Sequence, residues 1–313
     1  MGKTAAMPPS EVPEVIVVGG GPAGLSAALY LARYDRAVAV FDAGEGRSTH
    51  HQLNRNYLGF PGGVAARELR RRGFEQLSEY PQVSVQHERV EHLRRQDRGF
   101  VAGGRFGECR AAAVVLCTGV VEHYPEFEGW DSYVGRSMFS CITCDGYEAK
   151  GKKTVVAGNT DVAACEALQL SRLCDDVTLL TDSLEHEIRE PWWSRLRDRR
   201  IPVIVDEIKD AEGAHGQLAA VHTVGDRVLP LEALFVVHAP EPRTALATMV
   251  GAQLAENGYI VVDVNQKTTV PGVFAAGDVT RLHSHQVSAA VHEGGQAASA
   301  ANSFLYPPEL RAE

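Results

Sequence analysis

The side chains best suited to chemistry in this sequence are Cys141 and Cys144, two residues apart and followed at once by Asp145 and Gly146. Disulfide exchange needs a thiolate, and an unperturbed cysteine, with a pKa of about 8.5, is mostly protonated at neutral pH. Cys-x-x-Cys spacing lets the two sulfurs close a small ring, and Asp145 offers a carboxyl group that could pass a proton to or from the pair. Six cysteines in 313 residues make no disulfide framework, so this spacing points to redox or metal chemistry. Zinc would need a second ligand pair at suitable spacing. The other cysteines, Cys109, Cys117, Cys165 and Cys174, are scattered through apolar or helical segments, where a lone thiol acts as a small core residue. His50-His51 and His283-x-His285 lack supporting carboxylates and read as surface or cofactor-adjacent histidines, so no metal site is expected.

The elements around the dithiol carry the marks of nucleotide binding. Val15-Ile16-Val17-Val18 is a β-branched run short enough for a buried parallel strand. Gly19-Gly20-Gly21-Pro22-Ala23-Gly24 follows, and residues 25–34 read as a helix. This is G-x-G-x-x-G between a strand and a helix, the context that gives it meaning. Gly19 permits the turn, Gly21 lets the backbone approach a pyrophosphate, and Gly24 lets the helix pack closely, its N-terminus facing the phosphate charge. A second strand at 37–41 ends at Asp42, 18 residues after Gly24 and placed to accept from a ribose hydroxyl. Residues 111–116 form another apolar strand, closed by Cys117-Thr118-Gly119, and 268–276 read as a strand ending in Gly277-Asp278. Between these lies a second β–α–β pattern: Thr154–Ala157, Gly158, a helix over 161–173, then Val177–Leu180. The chain therefore holds two similar units, one inserted in the other, with joints in the Pro- and Glu-rich stretches 123–129 and 238–243.

A length of 313 residues and 33.9 kDa fits two domains, and 44% hydrophobic with 23% charged residues is ordinary for a chain with a sizeable core. Lys and Arg number 31 against 40 Asp and Glu, a net charge of −9. That balance argues against nucleic acid as the main partner. No apolar run approaches the roughly 18 residues that span a bilayer. Residues 1–14 carry one Lys, three prolines and no apolar core, and Ala6 stands where myristoylation wants Ser or Thr. They read as a disordered lead-in to a cytoplasmic protein that contacts no membrane.

On Gly19–Gly24, Cys117-Thr118-Gly119, Cys141-Ile142-Thr143-Cys144-Asp145-Gly146 and Phe274-Ala275-Ala276-Gly277-Asp278-Val279, the sequence resembles the two-domain, low-molecular-weight flavoprotein thioredoxin reductases over nearly the whole chain. The resemblance implies an α/β fold of two Rossmann-like, FAD- and NAD(P)-binding domains, the second inserted into the first. Residues 1–124 and 241–313 would form the FAD domain and 125–240 the insert with the dithiol. It further implies that Gly19, Gly21, Gly24 and Gly119 line the FAD site and that Asp42 holds the adenosine ribose. Asn56 would contact the flavin ring, Gly277 and Asp278 the ribityl-phosphate part, and Gln286 and Val287 the pyrimidine edge. Cys144 would exchange electrons with the flavin, Cys141 would form the mixed disulfide with a thioredoxin-like protein, and Asp145 would be the acid/base. A homodimer is implied too.

One departure bears on the electron source. In the second glycine motif, Gly158-Asn159-Thr160-Asp161-Val162-Ala163, Thr160 puts a Cβ and methyl where backbone should approach a pyrophosphate. After Val177–Leu180 comes Thr181-Asp182-Ser183-Leu184, with no arginine before Arg189 to clamp a 2′-phosphate. Asp182 could instead accept from the 2′-hydroxyl of NADH and would repel a 2′-phosphate. NAD(P)H is thus a doubtful reductant. The pattern is similar to the deeply rooted or ferredoxin-linked flavin thioredoxin reductases, in which a protein such as ferredoxin, or another small donor, supplies electrons. Trp192-Trp193 and Tyr306 are candidates to cover a flavin face left vacant, with ordinary packing the alternative. The Arg67, Arg70, Arg71, Arg72 and Arg195, Arg197, Arg199, Arg200 clusters read as solvated helix faces, with docking of an acidic protein the alternative. Three other functions stay open: an oxygen-using oxidase of small dithiols, an NAD(P)H-dependent thioredoxin reductase, and a flavin-binding sensor without turnover.

Overall fold

The computed structural model describes residues 12–50, 53–281 and 285–310. The 1–11 part of the lead-in, His51 and His283 lie outside the described residues, as does the side chain of His50. The chain divides into two compact units. One comprises the chain up to Thr49, Ala65–Val121 and the chain from Pro240; the other comprises His50–Val64 and Glu122–Ala239.

The first unit is built on five parallel strands in the order Val273–Ala275, Ala113–Leu116, Val15–Val18, Val38–Phe41, Val83–Gln86. Its inner strands read as unbroken apolar runs because both sheet faces are covered. Alternate residues feed two cores, following the period of two along a strand. Val15, Val17, Val38, Val40, Val115 and Phe274 pack under the helices Pro22–Arg33 and Val287–Leu305, among Leu31, Ala297 and Ala301. Ile16, Val18, Ala39, Phe41, Val114 and Leu116 face the opposite way, towards Leu93, Phe100 and Ala102. Those three belong to an antiparallel sheet of His92–Gln96, Gly99–Gly104 and Gly107–Ala111.

The second unit repeats the plan. Its parallel strands run in the order Val203–Ile204, Val177–Leu180, Thr154–Ala157, Ala233–Val236, Met138–Phe139. Val156, Leu179 and Phe235 pack with Ala163, Ala167 and Leu170 of helix Asp161–Leu170. Val155, Leu180, Leu234 and Val236 pack with Leu218 and Val221, which lie on the antiparallel sheet Ile208–Ala214, Gln217–Thr223, Val228–Pro230. The fold is thus α/β, with two Rossmann-like units and the second inserted into the first.

Several element boundaries differ from the sequence expectation: the strands expected at 37–41 and 111–116 are Val38–Phe41 and Ala113–Leu116, Ala111 ending the preceding antiparallel strand. The first helix starts at Pro22, where the ring presets φ and the missing N–H costs nothing. The helix expected over 161–173 stops at Leu170, and Leu173 and Cys174 turn back to the Leu170 carbonyl. Only Val273–Ala275 of the 268–276 stretch joins the ladder, because Gly272 at φ 86° reverses the chain and Thr268 donates its N–H to the Val273 carbonyl across that turn. Among the described residues no helix is long and apolar enough to cross a membrane.

Candidate active site

The dithiol sits where strand Met138–Phe139 gives way to the short helix Ile142–Asp145 and the 3-10 turn Gly146–Ala149. Cys141 and Cys144 form a disulfide with Cα atoms 5.3 Å apart, both half-buried. Cys141 is extended, and its Sγ accepts the Cys144 N–H at 3.1 Å, a donor that would also stabilise a Cys141 thiolate. Asp145, next to Cys144 in the chain, is only 2% exposed, so its carboxyl group is withdrawn from bulk water. Upstream, Glu122 lies against the same turn. Its Oε2 accepts from the Tyr124 hydroxyl at 2.6 Å and from the Ser140 hydroxyl at 2.7 Å, and Tyr124 stacks on Trp130. The 50–64 segment reaches the turn from another direction: Asn56 Nδ2 donates to the Thr143 carbonyl at 3.4 Å, and Arg55 pairs with Glu148 at 3.3 Å.

In the first unit the expected cofactor residues gather at the carboxyl ends of the parallel strands, the edge where open α/β sheets bind ligands. Gly19–Gly24 follows Val18, Asp42 follows Phe41, Gly119 closes the turn after Leu116, and Gly277 and Asp278 follow Ala275–Ala276. A β-carbon at Gly19, whose φ is 112°, would overlap the Cys117 carbonyl, and one at Gly24 would overlap the Gly19 carbonyl. Gly21 is different. A β-carbon there would meet only Ser48 Oγ, at 3.9 Å. The helix behind it has no side-chain cap and no acid in its first turn, so its first N–H groups are open to an anion. This cradle fits the diphosphate of FAD.

Asp42 is buried and accepts the Gly20 N–H at 3.2 Å, and its other oxygen pairs with Arg70. Asp278 pairs with Arg47 at 3.3 Å, and Arg47 also donates to the His285 carbonyl. Gly277, at φ 81°, donates its N–H to the buried Glu293 at 2.8 Å, and Arg281 holds that carboxylate at 2.6 Å. Gln286 caps helix Val287–Leu305 through its backbone, with Val287 the first helical residue. Burial pushes the nearby Cys117 thiol far up, so it is inert.

The second glycine motif is arranged otherwise. Thr160 is the N-cap of Asp161–Leu170 but makes no side-chain cap bond. Asp161, in the first turn, accepts the Arg189 N–H at 2.8 Å and its guanidinium at 2.9 and 2.6 Å. These bonds hold the Asp161 carboxyl below its usual range. Glu187 N–H donates to the Asn159 carbonyl at 2.7 Å, which lays the 187–189 stretch across the helix start. Asp182, at φ 50°, accepts the Ile208 N–H at 2.8 Å and faces His238 Nε2 at 3.3 Å.

Of the aromatic candidates, Trp192 and Trp193 pack on the second unit's core, Trp193 donating to the Ile188 carbonyl, and Tyr306 lies under Arg36. Arg71 and Arg72 pair with Glu68 on an exposed helix face. Arg195 covers Trp192. His285 Nε2 lies 2.6 Å from the Arg281 carbonyl, and no cluster of three His, Cys, Asp or Glu groups is placed to hold a metal among the described residues. Sequence reasoning missed Arg47, Arg70, Glu122, Ser140, Arg189 and Glu293, whose partners are mostly far away along the chain. Two gave a signal: Arg70, as a member of a basic helical cluster, and Arg189, as the first arginine after the second strand of its unit.

Residues 13–294 match the family described as pyridine nucleotide-disulphide oxidoreductase. The thioredoxin reductase of Treponema pallidum (strain Nichols) is 31% identical over 303 residues, covering 93% of this chain and 97% of the relative. Among solved structures, HlmI superposes with a TM-score of 0.86 at 29% identity, covering 94% of this chain and 92% of its own. The thioredoxin reductase of Giardia duodenalis gives 0.85 at 25% identity, with 95% and 99% covered. The chain therefore belongs to the pyridine nucleotide-disulphide oxidoreductase family, on its low-molecular-weight thioredoxin reductase branch, and is a flavoprotein disulfide oxidoreductase.

Proposed function

We propose that the Cys141–Cys144 disulfide takes an electron pair from reduced flavin and hands it by thiol exchange to a thioredoxin-like protein, without efficient use of NADPH. The observation that carries this reading is the disulfide itself, half-buried beside the shielded Asp145, with Cys141 Sγ already facing a backbone donor. Bound FAD supplies the electron pair. Gly19, Gly21, Gly24, Asp42, Gly119, Gly277 and Asp278, all in the first unit, would hold it, and the FAD-binding domain is read as residues 1–124 and 241–313, wider than that unit by the 50–64 segment and 122–124. Asn56, Gln286 and Val287 contact its ring, and 125–240 is the inserted domain.

Reducing the disulfide takes two electrons and two protons: Asp145 passes one on the Cys144 side, and Cys141 takes the other from solvent and returns it when it ionises to attack. Cys141, as thiolate, then attacks the partner disulfide, whose bond breaks to give a mixed disulfide and a partner thiolate. Cys144 attacks Cys141 in turn, restores the internal disulfide and frees the second partner thiol. Thioredoxin sits near about −270 mV, and each 30 mV uphill costs about 1.4 kcal/mol for two electrons, so the donor must be at least as reducing.

The second glycine motif supports a donor other than NADPH. Asp161 brings a negative charge to the helix start where a pyrophosphate would lie, and Arg189 is spent on neutralising it. Asp182, the candidate for a ribose hydroxyl, is engaged by Ile208 and His238. These features favour the deeply rooted or ferredoxin-linked subtype, fed by a reduced protein such as ferredoxin; the resemblance to the family, not these contacts, is the ground for reading it as a cytoplasmic homodimer.

Anaerobic titration of the holoenzyme tests the assignment. Reduced ferredoxin should bleach the flavin and release two Cys141–Cys144 thiols that reduce thioredoxin. Fast, stoichiometric bleaching by micromolar NADPH would overturn the donor assignment, and oxygen uptake with small dithiols but no thioredoxin reduction would overturn the direction of flow.

A further inference from the structure

We propose that Glu122 is a positioning residue for the dithiol: its carboxylate, clasped by the Tyr124 and Ser140 hydroxyls, fixes the residue before Cys141 and sets a permanent negative charge on the Cys141 side of the pair. The inference rests on Cys141–Cys144 cycling between disulfide and dithiol. Asp145 already serves the Cys144 side, whereas nothing in the sequence names a group for the attacking sulfur.

The geometry is specific. One oxygen, Glu122 Oε2, takes two hydroxyl donors, at 2.6 Å from Tyr124 and 2.7 Å from Ser140, and the two hydroxyl oxygens lie 3.2 Å apart. Short hydroxyl bonds to one oxygen are charge-assisted and favour the ionised acid. Tyr124 is fixed in turn by its stack on Trp130, with ring centroids 5.6 Å apart. Glu122 is the first residue of its unit after Val121, so the cluster ties the chain's entry into the unit to the strand end that carries the dithiol. Ser140 directly precedes Cys141, and bond lengths alone keep the Glu122 carboxylate within about 12 Å of the Cys141 sulfur.

At that range, in a partly buried site, a fixed negative charge disfavours a second one and holds the Cys141 thiol up by about half to one pH unit. The consequence is a division of labour. The Cys144 N–H draws Cys141 towards thiolate, and Glu122 keeps the reduced pair protonated until a partner arrives. Other titratable or charged groups around the turn are Cys144 and Asp145 within it, the Arg55–Glu148 pair, Lys150 after it, and His123 and Tyr124 on the incoming chain. All are retained in the Glu122 comparison below except Cys144, which is replaced in every alkylated protein.

The test is the pH dependence of Cys141 alkylation by iodoacetamide, read by mass spectrometry of the Cys141 peptide. It uses holoenzyme carrying Cys144→Ser, with and without Glu122→Gln. Gln keeps the size and the acceptor oxygen, so the fold should survive, and a thermal melt checks that it does. Glu122→Gln should lower the Cys141 midpoint by about half to one unit, and Glu122→Asp should restore most of the shift. A folded Glu122→Gln protein with an unmoved midpoint would overturn the proposal, as would a loss of melting temperature without a titration change. If Glu122→Gln does not fold, Tyr124→Phe and Ser140→Ala are measured in its place. Each loosens the carboxylate, and each should move the same midpoint; two unmoved midpoints would overturn the proposal. Dithiothreitol treatment of the otherwise unaltered chain should expose both thiols of the pair. A pair that cannot be reduced defeats the dithiol reading itself, whereas a reducible pair indifferent to Glu122 defeats only this inference.

Discussion

Replacing one sulfur by oxygen separates the two cysteine roles. Cys144→Ser should leave Cys141 able to capture thioredoxin as a stable mixed disulfide while turnover falls by at least about a thousandfold, because no resolving thiolate remains. Capture through Cys144 in a Cys141→Ser protein would reverse the assignment. A second residue-scale effect concerns Glu166, whose Oε2 is buried without a hydrogen-bond partner and whose carboxyl is pushed up to about 7 by burial. The folded state prefers the protonated acid, so this contribution is complete below the ordinary carboxylate range and is lost as pH rises through about 7. Glu166→Gln should therefore stabilise the protein at pH 8 by about 1–2 kcal/mol and change little at pH 4, measured by denaturant unfolding. Cys141, Cys144 and Asp145 were legible in the sequence because their chemistry depends on neighbours one to three residues away. Arg70 on Asp42 and Arg47 on Asp278 were not, because the pairs join positions 28 and 231 residues apart.

Elements explain why the glycines of one motif are not interchangeable. Gly24→Ala would drive a methyl group into the Gly19 carbonyl, so the first strand and helix must part. It should destabilise the first unit by about 3 kcal/mol or abolish soluble expression. Gly21→Ala places its methyl in open space at a φ of −81° that any residue adopts. The apoprotein should melt unchanged, while FAD affinity, read by fluorescence titration, should fall tenfold or more, at least about 1.4 kcal/mol. Equal loss of stability in both variants would refute the assignment of Gly21 to the cofactor. Six of the ten parallel strands were legible because buried strands read as β-branched or apolar runs; Val83–Gln86, Met138–Phe139, Val203–Ile204 and Ala233–Val236 were not read, nor was helix Val287–Leu305. The two antiparallel sheets at 92–111 and 208–230 escaped notice, since strands such as His92–Gln96 and Ile208–Ala214 are largely exposed and polar, held by pairing more than by apolar pattern.

For the whole molecule, thiol accessibility is the simplest global check. Four of the six cysteines are free, and Cys117 and Cys174 are buried. Burial pushes Cys109 up to about 11. The native oxidised protein should therefore react readily with a disulfide reagent at pH 8 only at the part-exposed Cys165, denatured protein should yield four thiols, and prior reduction should add two. Six thiols from the unreduced, denatured protein would show that the Cys141–Cys144 bond does not form. The amino-acid sequence by itself determined the two nested Rossmann-like units, the Cys141–Cys144 pair and the glycine turn at the first helix, because each rests on local spacing: strand, glycine turn, helix, and Cys-x-x-Cys. Only the tertiary structure decided which charges meet. It put Glu122 on the residue before Cys141, Arg189 over the second helix start and Arg70 on Asp42, because ion pairs and hydrogen bonds depend on distance in space, and a linear order does not encode that until the sheets have brought remote segments together.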